Sequence, residues 1–381
     1  MMRALFLFLT VLFLQGCRIH MDNSIADRNR RVEDYLGGTI RNGKFPGLQY
    51  VVVDSTSVLL RYFGGWADVQ NRIRMDSTTT MMAYSMTKTF TAAAVLQLIE
   101  SGQVGLDTPV DTYFPSTPYG HTMTVRHLLS QTSGIPNPIP LRWAHPAGRH
   151  AAFDEDSALG AVLRKNPKLR FPPGSKYAYS NISYWILGKI VEHVSGRPFP
   201  TYMEEHIFTP LHLQNKDAAF TISPGVPHAK GYLKKYSLMN LAKALLIDRE
   251  LIGEYEEGWL HINDHHLNGP GFGGLIATAP AVAAFLQDQL REHSVLLGNG
   301  TKSLFFSRQA ATSGELIDMT LGWHIGHLDG VPYYFKEGGG GGYHAEMRIY
   351  PDRRIGTVIM VNETSSACTD VQSEADRDFI F

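Results

Sequence analysis

Cysteine is nearly absent from this chain of 381 residues: Cys17 and Cys368 are the two it has. Two such thiols build neither a disulfide framework nor a zinc cluster, so a stapled scaffold and thiolate cofactor chemistry are both excluded. Charge of one sign is lacking as well. Lys and Arg number 35 against 36 Asp and Glu, a formal net charge of -1. With no basic excess and no Lys/Arg block to hold a phosphate backbone, no nucleic-acid partner is expected. There is also no apolar run of the roughly 20 residues that a bilayer span needs. What remains is ordinary for a globular chain, 44% hydrophobic and 19% charged with 36 Gly and 20 Pro, and it rules out disordered and fibrous classes. A chain of this length has apolar material for one large domain or two interleaved ones.

The amino terminus carries the first positive signal. Met1-Met2-Arg3 is a short basic head, and Ala4 to Leu14 is an apolar run of the length of a secretory core segment. It ends in Leu14-Gln15-Gly16-Cys17, which resembles the lipobox of bacterial lipoproteins, with Gln15 a less usual residue at its place. Residues 1–16 are therefore expected to be a lipoprotein signal peptide, and Cys17 the lipidated residue. Residues 17–30 would be a tether, and 31–381 the folded domain. Two acyl chains hold a soluble domain firmly at a membrane surface, so membrane lipid is an expected partner and the location extracytoplasmic.

Along the rest of the chain the pattern is an interrupted α/β plan. Ile25 to Asn42 reads as a helix. Leu48–Val53 and Val58–Phe63, separated by Asp54-Ser55-Thr56-Ser57, read as a hairpin. Ser85–Glu100 consists of helix formers, apolar on most faces, with Gly102 as its stop, and is expected to be a buried helix. From Pro109 to about Glu257 short helices alternate with Pro- and Gly-rich loops. A helix at Ala279–Glu292 precedes strands around Thr320–His327, Val331–Lys336, Tyr343–Tyr350 and Ile355–Asn362. Strands at both ends with helices between predict one sheet completed by the two termini. The expected α/β part covers about 31–90 and 270–381, and the helical part about 91–269.

Three short motifs carry chemistry. Tyr84-Ser85-Met86-Thr87-Lys88 holds Ser-x-x-Lys at the start of the buried helix, which puts the Ser85 hydroxyl and the Lys88 amine one turn apart on one face. A serine hydroxyl needs a neighbouring base, and a lysine serves as one when burial lowers its pKa. The helix start also turns backbone N–H groups toward a developing oxyanion. Tyr179-Ser180-Asn181 follows the turn at Pro172-Pro173-Gly174. Read as extended, it points Tyr179 and Asn181 the same way, and lysines beside the phenol would stabilise its anion for proton transfer. Phe335-Lys336-Glu337-Gly338-Gly339 lies on an expected strand whose glycines permit close backbone approach. The run Gly338 to Gly342 is expected to be flexible. His261, His265 and His266 lack the spacing or companions of a ligand set, so no metal is expected. Trp143, Trp185, Trp259 and Trp323 read as core, and His324 and His344 as packed residues near the third motif.

Ser-x-x-Lys, Tyr-x-Asn and Lys-x-Gly in this order resemble the serine β-lactamase and penicillin-binding-protein group, and Tyr179 at the head of the second motif resembles the class C β-lactamase-like branch with its esterases and D-amino-acid peptidases. Further phrases typical of that group are Val125-Arg126-His127-Leu128-Leu129-Ser130-Gln131-Thr132-Ser133-Gly134, Gly273-Gly274-Leu275-Ile276-Ala277-Thr278 and Leu321-Gly322-Trp323. The likeness spans about residues 25 to 365. It implies an α/β fold in which an antiparallel sheet flanked by helices carries an inserted all-helical domain, with the active site between them and no cofactor. It implies Ser85 as nucleophile, Lys88 as proton acceptor and Tyr179 as acid/base partner. Asn181 and Lys336 would bind substrate, and the N–H groups of Ser85 and Gly339 would form the oxyanion hole.

One departure stands out. Glu337 occupies a place where the group usually has a hydroxyl that helps hold a substrate carboxylate. A carboxylate there repels one, unless Glu337 is protonated or paired with Lys336 or another cation. The sequence thus favours a serine hydrolase forming an acyl-enzyme on Ser85 and cleaving a small ester or amide. A D,D-carboxypeptidase or β-lactamase is the second reading, and a non-catalytic binding lipoprotein on the same scaffold the third.

Overall fold

The structure, a computed structural model, describes residues 25–138 and 143–381. The expected signal peptide and Cys17 lie outside the described residues. Of the expected tether, residues 25–30 are already helical, because the first helix occupies residues 25–41.

Seven antiparallel strands form the main sheet, in the order His324–Leu328, Val331–Gly340, Tyr343–Tyr350, Ile355–Val361, Gly47–Val53, Val58–Asp68, Ile73–Arg74. The two chain ends meet in its middle, where Leu48 stands opposite Val361 and Val53 opposite Gly356. Asp54 closes the first hairpin by accepting the N–H groups of Thr56 and Ser57 on its side chain.

Period-two alternation assigns each strand's side chains to two cores. Val51 and Val53 face the main core with Met347, Val358, Met360 and the helix Ala279–Leu290. Leu48, Tyr50 and Val52 face the other way, onto Val32 and Leu36 of the first helix and Val371, Ala375 and Phe379 of the last, Ala367–Ile380. Sequence reasoning gave no helix to that last segment, although Cys368, Val371, Ala375 and Phe379 follow the i, i+3, i+4 spacing. The charged residues between them hid it. Asp376 is one: fully buried, it accepts from Tyr50 Oη at 2.7 Å, Tyr350 Oη at 2.7 Å and Thr357 Oγ1 at 3.0 Å, and lies 3.2 Å from Arg348 Nη1.

The stretch inserted in the sheet contains the helices Glu155–Lys165 and Asn181–Ser195 but is not all-helical. Gly231–Lys234, Trp259–Ile262 and Ile252–Glu256 form a three-stranded antiparallel sheet around Leu233, Leu251, Leu260 and Ile262. Ala144–Pro146 pairs with His265–Leu267. Strands this short are poorly marked by hydrophobic periodicity, which explains why the helical expectation overran them.

Candidate active site

Ser85 sits in a single 3-10 turn, Tyr84–Met86, that runs straight into the helix Thr87–Glu100. That helix is buried from Thr87 through Leu96, so Lys88, one turn from Ser85, has no access to solvent. Lys88 Nζ donates to Ser85 Oγ at 2.8 Å and to the carbonyl of Phe272 at 2.5 Å. Tyr179 Oη donates to the same Ser85 Oγ at 2.7 Å. The nucleophile candidate is thus held between an amine and a phenol that come from segments far apart in sequence.

Burial sets the protonation of all three basic and acidic partners. Desolvation, joined by the charge of Lys336, holds the Lys88 ammonium well below its ordinary pKa. Desolvation pushes Lys336 down to about 7, with Glu337 pulling weakly the other way. Lys336 is 1% exposed and its Nζ has no hydrogen-bond partner among the described residues. Both lysine nitrogens lie 5.0 Å from the centre of the Tyr179 ring. The expectation that they would lower the phenol is not met: burial outweighs them, and Tyr179 is raised, partly offset by its bond to Ser85. The resting site therefore holds a neutral phenol beside a lysine that gives up its proton readily.

Asn181 differs from its expected setting. It is the first residue of the helix Asn181–Ser195, capped by Ser180, and not part of an extended run. It nevertheless lines the cleft with Ser85, and its Oδ1 has no partner among the described residues.

The glycine run is packed instead of flexible. A Cβ on Gly338 would stand 2.2 Å from the Ala83 carbonyl oxygen and 2.6 Å from Ser85 N, and one on Gly340 would stand 2.3 Å from the Tyr84 ring. Only glycine lets this strand run against the nucleophile turn, and that brings Gly339 to the cleft wall beside Ser85. Gly342, at φ +92°, turns the chain back toward Tyr343.

Glu337 stands on the face of its strand opposite Lys336, in register with Glu346. Its side chain is 53% exposed at the cleft rim. It is not paired with Lys336; its nearest cationic candidate is His344, with Nε2 4.0 Å from Oε2, and burial lowers that imidazole. His344 lines the cleft. His324 packs near Tyr179 and lies 3.2 Å from Tyr177 Oη, and burial drives its pKa down to about 2. Trp143, Trp185 and Trp323 are core, with Trp143 also lining the cleft, whereas Trp259 is only half-buried on its strand.

Two features escaped the sequence reading. Tyr84, immediately before the nucleophile, has φ +44°, a conformation that costs about 1–2 kcal/mol in a residue with a Cβ. Its hydroxyl donates to the Gly341 carbonyl at 2.8 Å and lies 2.9 Å from His265 Nε2, while His265 Nδ1 faces the Asn263 carbonyl at 2.9 Å. The strained turn is thereby pinned to the glycine strand and to the inserted part at once. The second is Glu363, a buried carboxylate at the cleft wall just past the strand Ile355–Val361. A composition scan gives no reason to notice either.

The cleft that these residues line holds about 850 Å³. Among the described residues no group of three or more His, Cys, Asp or Glu is arranged to hold a metal ion.

Comparison with known proteins agrees with this arrangement. The chain is 28% identical to Protein flp of Staphylococcus aureus strain MW2 over 196 residues, which is 50% of this chain and 38% of that protein. It spans well under two thirds of the length of the curated relatives it first matches. Among solved structures, D-amino acid amidase from Ochrobactrum anthropi SV3 complexed with L-phenylalanine amide is similar at a TM-score of 0.75 and 19% identity, covering 92% of this chain and 98% of that one. Beta-lactamase/D-alanine carboxypeptidase from Yersinia pestis is similar at a TM-score of 0.70 and 22% identity, over 93% of this chain and 99% of that one. At such identities the two structures speak for the fold. The Beta-lactamase family model matches residues 28–379, nearly the whole described chain, and the protein belongs to that family.

Proposed function

We propose that the protein hydrolyses small esters or amides lacking a carboxylate at the family's usual place, through an acyl-enzyme on Ser85. The observation that carries this reading is the Ser85 Oγ held 2.8 Å from Lys88 Nζ and 2.7 Å from Tyr179 Oη. In the first step Ser85 Oγ bonds to the substrate carbonyl carbon as its proton passes to the free amine of Lys88. The oxygen of the tetrahedral intermediate faces the N–H groups of Ser85 and Gly339, donors worth roughly 3–4 kcal/mol each in related chemistry. Collapse breaks the bond to the leaving group, which takes a proton through Tyr179. Water then enters by the reverse sequence and frees the acid. The reading fails if a fluorophosphonate probe leaves Ser85 unlabelled and no short-chain ester is turned over, the outcome that favours a non-catalytic binding protein.

A cell-wall peptidase or β-lactamase is the second reading, favoured by Lys336 and opposed by Glu337. Because Glu337 is half exposed, solvent screens its repulsion to about 1 kcal/mol or less. Glu337→Thr is accordingly expected to raise the ratio of cephalosporin to neutral-ester kcat/KM by about threefold to fivefold. A chromogenic cephalosporin assay measures it. Efficient cephalosporin turnover by the wild type reverses the order of the two readings.

Membrane anchoring is part of the same proposal, supported by Ala4–Leu14 and Gly16-Cys17. Intact-protein mass spectrometry is expected to find acyl chains on Cys17 of the membrane-fraction protein and none after Cys17→Ser.

A further inference from the structure

The wall of the cleft carries a carboxyl that the reaction at Ser85 does not use. Glu363 is 5% exposed and lines this cleft, and its Oε2 has no hydrogen-bond partner among the described residues. Ser365 donates to its carboxyl, and Ser365 Oγ in turn accepts the Ala367 N–H at the start of the last helix. Glu337 and Asp248 line the same cleft. The counter-charge is Lys234, which lines the cleft and acts on Glu363 through its field, but its Nζ donates to the Gly43 carbonyl at 3.3 Å and is not within ion-pair distance of that carboxyl. His344 also lines the cleft, and burial lowers its imidazole.

The same cleft has an apolar lining: Leu233 and Ile262 from the inserted three-stranded sheet, Leu251 from the turn before its strand Ile252–Glu256, and Leu267 and Phe272. A buried acceptor left without a donor costs about 1–3 kcal/mol, more when charged, and a ligand that supplies the donor recovers it. Burial holds the free Glu363 carboxyl up to about 7, and a cation seated beside it favours the ionised form. Resting on the hydrolase reading above, we propose that Glu363, with Glu337 at the rim, is a subsite for an ammonium group carried on an apolar chain. Substrates of this protein are then cationic esters or amides, the opposite charge to the carboxylate-bearing ligands that Glu337 repels.

Calorimetric titration of the wild-type protein with hexylammonium, 1-hexanol and hexanoate tests the subsite without catalysis. Hexylammonium is expected to bind at least tenfold more tightly than either of the others, and Glu363→Gln to remove that advantage. Hexanoate binding as tightly as hexylammonium overturns the proposal, and so does an advantage that survives both Glu363→Gln and Glu337→Gln. The wild-type comparison decides even if a variant folds poorly. In turnover, the 4-nitrophenyl ester of 6-aminohexanoate is expected to exceed that of heptanoate in kcat/KM by about tenfold, a ratio that Glu363→Gln brings toward one. Equal values, with the ammonium placed on the acyl side or on the alcohol side, overturn it. Failure of both esters to turn over rejects the hydrolase reading instead, and the calorimetry then still decides the subsite.

Discussion

Ser85→Ala is expected to lower kcat toward any ester the wild type hydrolyses by on the order of a millionfold and to abolish fluorophosphonate labelling. The loss is large because every other part of the site acts through this oxygen. Lys88 Nζ and Tyr179 Oη both donate to it, and with the oxygen gone there is no nucleophile for them to activate. The fold should persist. Alanine suits the turn into the helix Thr87–Glu100, Lys88 keeps its bond to Phe272, and the cleft admits water to the freed phenol. A change in unfolding free energy of no more than about 1–2 kcal/mol is expected, read by thermal denaturation. A variant that turns over ester at near the wild-type rate would remove Ser85 from the mechanism.

Lys88→Gln carries the second largest effect, a fall in kcat of about 10²- to 10⁴-fold, the range for loss of a positioned general base. Glutamine keeps an N–H for the Phe272 carbonyl but cannot take a proton from Ser85. The same lysine pair sets a pH profile. A lysine whose pKa is lowered is the free amine above that pKa, so activity rises with pH as Lys88 sheds its proton. Lys336 is cationic below about 7 and loses the charge above it, and with it the field that stabilises an anionic phenol at Tyr179. Since each lysine's charge bears on the other, the two limbs belong to the pair. A bell-shaped kcat/KM is expected, with a descending limb near pH 7 that Lys336→Arg removes, because a guanidinium stays charged there. A profile that climbs through pH 9 in the wild type would show that Lys336 acts without its charge.

The parts of the site that were legible in the sequence are those whose chemistry is local. Ser85 and Lys88 are one helical turn apart, so their meeting follows from spacing alone. The strands Tyr343–Tyr350 and Ile355–Val361 likewise announced themselves by β-branched and aromatic residues. Other properties depend on what packs around a residue, and spacing is silent there. Tyr179 was expected to be lowered by two lysines, and desolvation, which no motif records, reverses the sign. Gly338 to Gly342 read as loose because glycine is permissive in isolation, yet the Ser85 turn fills the room their missing side chains leave. Tyr84 lies inside the quoted motif, but a positive φ in a tyrosine leaves no trace in composition. Glu363 is a lone acid among many until the fold buries it without a donor for Oε2.

The pairing of Leu48 with Val361 fixes an order of events in time. The strand Gly47–Val53 is made about 300 residues before Ile355–Val361, one of its two neighbours in the sheet. At about 5–20 residues per second, synthesis leaves that strand waiting on the order of tens of seconds for its partner. Through that interval Tyr50-Val51-Val52-Val53, buried on both faces in the finished protein, has an open hydrogen-bonding edge. Non-local pairing of this kind makes folding slow, and the sheet cannot close before Ile355–Val361 has left the ribosome. The unclosed sheet is also the form in which a chain can be threaded through a narrow channel, so the same pairing that closes the sheet keeps this part of the chain open until that strand is made.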